Sequence, residues 1–352
     1  MRAGDVGGCA YARRVTLHPS GSLQDPLALD PPDVGPAIEP AVERTVEPHI
    51  EPAIEPAIEP AESEVEAIRT RAHAGRGGPG LSPSRANDYM QCPLLFRFRV
   101  IDRLPEPPSE AAARGTLVHS VLERLYDSPA AARTDAAARA LLPGEWERLR
   151  AAEPRYASLF ETQSDLNAWL AGAGDLVGTY FTLEDPTRLE PRERELFVET
   201  ELDGGPLLRG IVDRLDVAPG GEMRVVDYKT GRSPRQGYEG SALFQMRFYA
   251  LVLWRVRGEI PRMLQLVYLG DGQVLRHTPD EAELRTVERK IRSVWAGIES
   301  SARSGTWTPR KSALCPWCAH QALCPAFGGT APEIPAGAVE LAIGVRPEPA
   351  TA

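Results

Sequence analysis

Asp213, Asp227 and Lys229 are the residues of this chain whose types and spacing could do chemistry. Two carboxylates on rigid elements suit a hard divalent cation, which prefers oxygen ligands and can polarise a phosphate and activate a water. Asp213 is expected to end a strand that begins near Leu207, and Asp227 to sit near the end of the next strand. Pro219, Gly220 and Gly221 lie between them and favour a hairpin turn that would bring both carboxylates to one ion. Lys229 follows Asp227 by two residues, so in a strand both side chains share a face. An ammonium there could orient or deprotonate the attacking water and stabilise charge building on the phosphate. The chain has three lysines, Lys229, Lys290 and Lys311, against 37 arginines, so its ordinary cationic positions are filled by arginine. Lysine differs in being a compact amine whose pKa falls readily on burial, which is what a water-activating group needs. The plainer alternative is that Asp213 pairs with Arg214 and that Asp227 to Gly231 is a strand running into a turn.

A second set of reactive side chains is the cysteines. Cys315, Cys318 and Cys324 form a C-x2-C-x5-C run, and Cys92 stands 223 positions before Cys315. Four thiolates at such positions suit a [4Fe–4S] cluster or a structural zinc. His320, inside the run, is a further candidate ligand that four cysteines would make unnecessary, and Cys9 lies far from the others in sequence.

The elements that must position these groups follow from pattern. Segments 196–202, 207–215 and 223–228 read as three strands separated by Asp203-Gly204-Gly205 and Pro219-Gly220-Gly221 turns, an antiparallel meander. Helical spacing predicts a helix over 241–256, strands at 263–268 and 273–276, and a long helix from Asp280 to about Ser301. Upstream, Ser82 before Pro83 is a helix start for a short helix or helix-turn over 84–98. Leu117, Val121, Leu122 and Leu125 make an apolar stripe on a helix over 111–126, with His119 beside it, and a helical insert is expected over about 128–190. The expected fold class is α/β, a mixed central sheet covered by helices.

At the scale of the chain, 352 residues with 42% hydrophobic content can bury a substantial core. The net charge of −9 is unevenly spread: residues 23–66 hold 12 acids and one arginine, while residues 67–327 hold 35 basic and 33 acidic side chains. Any affinity for a polyanion must therefore come from local placement of arginines. Residues 1–80 are rich in Pro, Ala, Gly and Glu, with Ile-Glu-Pro-Ala repeated from Ile50, Ile54 and Ile58, and are expected to form a disordered leader. Residues 81–327 form the expected ordered domain and 328–352 a flexible tail. Neither a membrane span nor a signal peptide is expected, and the cysteine pattern suits a reduced compartment, so the expected location is cytoplasmic.

Gly210-Ile211-Val212-Asp213-Arg214 followed by Asp227-Tyr228-Lys229-Thr230-Gly231 resembles the core of the RecB-like nucleases in the PD-(D/E)XK superfamily. Arg114 to Glu123, containing His119, is similar to that family's first motif, and Gln245-x-x-x-Tyr249 to a downstream one, although an amphipathic helix packing Phe244, Phe248 and Leu251 would read the same way. The resemblance spans residues 81 to about 327 and implies the restriction-endonuclease-like core. It further implies that His119, Asp213, Asp227 and the backbone carbonyl of Tyr228 hold Mg²⁺ or Mn²⁺, that Lys229 positions the water, and that Gln245 and Tyr249 contact DNA. Cys92 with Cys315, Cys318 and Cys324 resembles the iron–sulfur staple of AddB-type and CRISPR-adaptation nucleases, which favours the cluster over zinc. The implied activity is an exonuclease acting on single-stranded or duplex DNA ends in repair or recombination. A CRISPR-adaptation trimming nuclease and a non-catalytic DNA-binding scaffold are the alternatives, and the complete His119, Asp213, Asp227 and Lys229 set argues against the scaffold. With no G-x-x-x-x-G-K-[ST] loop in the sequence, ATP-driven unwinding would fall to a separate helicase or repair partner.

Overall fold

The computed structural model describes residues 79–235 and 240–345. In chain order the helices are α1 (Pro83–Gln91), α2 (Pro93–Phe96), α3 (Glu110–Leu125), α4 (Asp135–Ala152), α5 (Gln163–Leu183), α6 (Gly240–Arg257), α7 (Glu281–Ser304) and α8 (Ala338–Ile343). The strands are β1 (Glu193–Glu201), β2 (Leu207–Val217), β3 (Met223–Lys229), β4 (Met263–Tyr268) and β5 (Gln273–His277). Five helices start as their sequences prescribe. Ser82, Ser109, Thr134, Thr162 and Asp280 each stand in extended backbone and accept a hydrogen bond from a first-turn N–H. Such a cap satisfies one of the donors that a helix N-terminus leaves orphaned.

The strands form one sheet in the order β1-β2-β3-β4-β5. Its β3–β4 pair is parallel and its other pairs antiparallel, so β3 must reach β4 by a crossover, and α6 supplies it. All five strands and the mixed sheet match the sequence expectation. Because β3 and β4 are covered on both sides, their successive residues feed two cores. Met223, Val225, Leu264 and Leu266 join Phe244, Phe248, Leu251, Leu284 and Ile291 of α6 and α7. Val226, Tyr228 and Val267 join Leu117, Val121, Trp146, Trp169 and Tyr180 of α3, α4 and α5. The helical insert therefore builds the second core, in which Trp146 and Trp169 meet edge-on at 4.9 Å.

Several boundaries differ from expectation. The segment expected as one short helix over 84–98 breaks at Cys92, whose φ of −161° is extended, and resumes as α2 and a π-turn over Arg97–Ile101. Pro93 explains the break, since the residue before a proline is driven out of the helical region. The expected flexible tail contains α8, whose Val339, Ala342 and Ile343 are each 3% exposed and belong to the main core. One apolar stripe in a helix of six residues is too short to stand out as periodicity. The expected leader lies outside the described residues except for Pro79 and Gly80. Leu81, fully buried, already exchanges backbone hydrogen bonds with β2, accepting from Arg209 and donating to Leu207. Among the described residues, no helix is long and apolar enough to cross a membrane.

Candidate active site

Asp213 does not end its strand as expected but sits within β2, which continues to Val217. The β1–β2 register pairs Arg194 with Arg214 and Leu196 with Val212, which sets Glu195 opposite Asp213. The β2–β3 register pairs Arg214 with Val226, and one further step sets Asp213 opposite Asp227. Three acids thus stand in a row across three neighbouring strands. Backbone irregularity marks the row. Glu195 has a φ of +46°, a left-handed value that is costly outside glycine, and it drops out of the ladder. Leu208, Val212 and Leu215 all face the main core, so the in–out alternation of β2 skips a step at Asp213.

His119 reaches the same place from α3. Its Nε2 lies 2.9 Å from the Tyr228 carbonyl oxygen, and its Nδ1 lies 3.4 Å from Asp213 Oδ2. That same carboxylate oxygen accepts a 2.8 Å hydrogen bond from the Tyr228 N–H. Both backbone groups of Tyr228 are therefore turned towards the site while its ring is buried in the second core. Asp213 is not spent on Arg214, whose guanidinium is buried on the other side of the strand against Glu184, Asp216 and the Tyr228 hydroxyl.

Asp227 and Lys229 share a face, as a period of two requires, and Lys229 Nζ lies 2.7 Å from Asp227 Oδ2. Gln245 on α6 ties the two together. Its amide donates to Asp227 Oδ1 at 2.8 Å and to the Tyr249 hydroxyl at 3.2 Å, while its carbonyl oxygen accepts from Lys229 Nζ at 2.9 Å. Positions four apart on one helix face, Gln245 and Tyr249, thus both reach the site. Gly210 permits this, because a Cβ there would stand 2.5 Å from the Tyr249 ring.

One ligand atom each from His119, Glu195 and Asp213 lie within 4.8 Å of one another. An octahedral ion with bonds of about 2.1 Å keeps its ligands about 3.0 Å apart when adjacent and about 4.2 Å apart when opposite. The donor types of His119, Glu195 and Asp213 and their proximity suit a hard divalent cation. The electrostatics of the site point the same way. Burial, and after it the Asp213 carboxylate, push Glu195 up to about 7, with Glu123 and Asp227 adding to the effect against the pull of His119. Burial and Asp213 also push Asp227 up to about 6, against the pull of Lys229 and His119. The buried Asp227 Oδ2 has the Lys229 ammonium at 2.7 Å as its partner. Crowded carboxylates are an arrangement that a cation would relieve.

The structure thus brings together His119, Asp213 and the Tyr228 carbonyl as expected, with Asp227, Lys229 and Gln245 directly beside them. Glu195 joins the ligand cluster as well; in the sequence it is one of three acids near these elements, with Glu123 and Glu199, that spacing alone does not place at the ion. Only its register opposite Asp213 reveals it, and a sequence carries no strand register. Of the other two acids near these elements, Glu123 lies close enough to repel Glu195, while Glu199 faces Arg209.

The four cysteines Cys92, Cys315, Cys318 and Cys324 line one cavity between α1–α2 and the C-terminal segment. Backbone N–H groups of Arg310 and Ser312 donate to the sulfurs of Cys92 and Cys315, each at 3.3 Å. Burial, with Cys92 and Cys315 contributing, pushes the Cys318 thiol up. His320 is engaged elsewhere, 2.9 Å from Glu106 and edge-on to Phe98. Cys9 lies outside the described residues.

The chain is 25% identical over 277 residues to the Gene 69 protein of Mycobacterium phage D29, a match covering 71% of this chain and 97% of that protein. A solved structure from Eubacterium rectale, described as a "Putative exonuclease", overlaps 75% of this chain and 94% of its own at 14% identity and a TM-score of 0.47. Another, described as SSO0001, overlaps 75% and 96% at 15% identity and a TM-score of 0.36. Residues 80–325, which contain all five strands, His119 and the four cysteines of the cavity, match the model of the PD-(D/E)XK nuclease superfamily, and the chain belongs to that superfamily.

Proposed function

We propose that this chain is a metal-dependent DNA nuclease of the RecB-like branch, an exonuclease that hydrolyses phosphodiester bonds at single-stranded or duplex ends in DNA repair or recombination. One observation carries the reading: Glu195, Asp213 and Asp227 align across β1, β2 and β3, with His119 and the Tyr228 carbonyl closing on the same point and Lys229 two residues from Asp227. His119, Asp213, Glu195, Asp227 and the Tyr228 carbonyl would hold Mg²⁺ or Mn²⁺, which when bound polarises the scissile phosphate and makes a water acidic. Lys229, held between Asp227 and Gln245, orients the attacking water and neutralises charge gathering on the phosphate. Gln245 keeps Asp227 and Lys229 in register with each other, and Tyr249 offers a wall to the DNA strand beside them.

The cysteine cavity is proposed to hold a [4Fe–4S] cluster. Four thiols converge on it from sequence positions more than 200 apart, and His320 is already taken by Glu106, which leaves a four-sulfur donor set. Zinc is the less favoured occupant.

The test is digestion of labelled linear DNA by anaerobically purified protein with Mn²⁺ or Mg²⁺, alongside Asp227→Ala and Lys229→Ala variants and iron and sulfide analysis. Metal-dependent degradation by the wild type alone is expected, from a brown protein containing iron and sulfide. Equal degradation by all three proteins would mean a contaminant, and an inert wild type would overturn the nuclease. A colourless, zinc-loaded and active enzyme would overturn the cluster alone.

A further inference from the structure

A groove of about 560 Å³ opens between the N-terminal end of α1, the β1–β2 strands and α6. Gln245 and Tyr249 form one of its walls, and Gln245 hydrogen-bonds Asp227, so the groove adjoins the acidic site. Its other walls carry opposite chemistry. Arg85, Asn87, Ser82 and Ser84 line it from α1 and its cap, and Arg209 from β2. Two backbone carbonyls fix the guanidiniums: Arg85 donates to the Gly80 oxygen at 2.9 Å and Arg209 to the Pro79 oxygen at 2.5 Å. Gly80, with a φ of +149°, makes room for this, since a Cβ there would stand 2.7 Å from the Arg209 guanidinium. Burial first, and then the nearby Arg209 and Arg103, push the Arg85 guanidinium below its ordinary range. Glu199, across the strand pair, is the carboxylate that acts on Arg209.

Arg85 and Arg209, with Ser82, Ser84 and Asn87, thus share a groove with the apolar Phe197 and Ile211, and Gln245 links that groove to the carboxylate row. We infer that this groove seats phosphate groups of the nucleic-acid strand flanking the cleaved bond, with Arg85, Arg209, Asn87 and the serines at the start of α1 holding them. The inference rests on the nuclease reading above. Guanidiniums and hydroxyls read phosphate without reading sequence, so the seat positions any strand and selects none. Phosphates here stand beside, not on, the carboxylate row, so weakening the seat weakens binding without removing the chemistry.

The experiment measures anisotropy of a fluorescein-labelled 20-nucleotide single strand over a salt series, with Lys229→Ala as the common background so that the strand survives. Into it go Arg85→Gln, Arg209→Gln and Ser84→Glu. Ser84 is exposed in the first turn of α1, where an acid favours the helix while repelling phosphate, so Ser84→Glu separates binding from folding if Arg209→Gln misfolds. Each variant is expected to weaken binding roughly tenfold or more. The slope of log affinity against log salt should also become shallower by about 0.7 for each phosphate that the variant no longer neutralises. On an otherwise wild-type background, KM should rise with kcat little changed. Oligonucleotides with a 5′-phosphate, a 3′-phosphate or neither, and a circular strand, assign the source. A weakening confined to one phosphorylated end identifies a terminal phosphate, and an equal weakening on all four identifies internal phosphodiesters. Wild-type cleavage combined with unchanged affinity and salt slope in Arg85→Gln and Ser84→Glu would overturn the groove while leaving the nuclease standing. A wild type that neither binds nor cuts would overturn the nuclease reading itself.

Discussion

Glu195 holds a left-handed φ of +46° and a carboxyl that burial and the Asp213 carboxylate push up to about 7, two costs that meet at the row of acids. A carboxyl that keeps its proton longer in the folded than in the unfolded chain destabilises the fold as pH rises through the interval between the two pKa values. That interval runs here from the ordinary glutamate range to about 7. Glu195→Gln is therefore expected to melt at the same temperature as the wild type near pH 4, below both pKa values, and at a higher temperature at pH 8, both without metal. The same variant should bind Mn²⁺ more weakly by roughly 10–100-fold, the loss seen even for groups behind the first ligands. Calorimetry at the two pH values and a metal titration check both halves, and a Gln variant less stable than wild type at pH 8 would show that no repulsion is relieved. Asp213, Asp227 and Lys229 were legible in the sequence because a hairpin turn and a period of two need only local spacing. Glu195 was not, because its place depends on a pairing between β1 and β2 that no local signal states.

Among the elements, the sheet and the helical insert are joined through Arg214, 1% exposed, whose guanidinium donates to Glu184 just past α5, to Asp216 and to the Tyr228 hydroxyl. The first of these partners lies on the insert and the last on the residue whose backbone faces His119, so the ion pair reaches from α5 to the site. Taking one member from a buried ion pair leaves its partner charged and desolvated. Arg214→Met is accordingly expected to lose about 3–5 kcal/mol in urea denaturation. Adding Glu184→Gln should recover part of that loss, and two strictly additive single losses would argue against a shared network. The strands and long helices that carry this network were readable from periodicity. What escaped was set by single residues or by long-range packing: the break of the first helix before Pro93, and α8 docking as six residues against the main core.

For the molecule as a whole, the two ends of the ordered domain meet at the cysteine cavity, where Cys92 faces Cys315, Cys318 and Cys324. Linking positions this far apart restricts the unfolded chain far more than it restricts the folded one. In the chain-entropy account, closing a loop of about 100 residues contributes about 4.7 kcal/mol, and the contribution grows only slowly with length. A cluster held by these four thiolates would add stabilisation of that order without touching the carboxylate row. Cys318→Ser, purified anaerobically, is therefore expected to lose its iron and to unfold at a clearly lower urea concentration than wild type. Whatever protein remains folded should keep metal-dependent cleavage, because the thiols and the carboxylate row are separate sets of residues. Cys9→Ser, altered in the expected leader, should match the wild type in iron content and midpoint. If Cys318→Ser and Cys9→Ser unfold at the same urea concentration under anaerobic conditions, the thiols hold nothing that links the chain, and the cavity is ordinary packing.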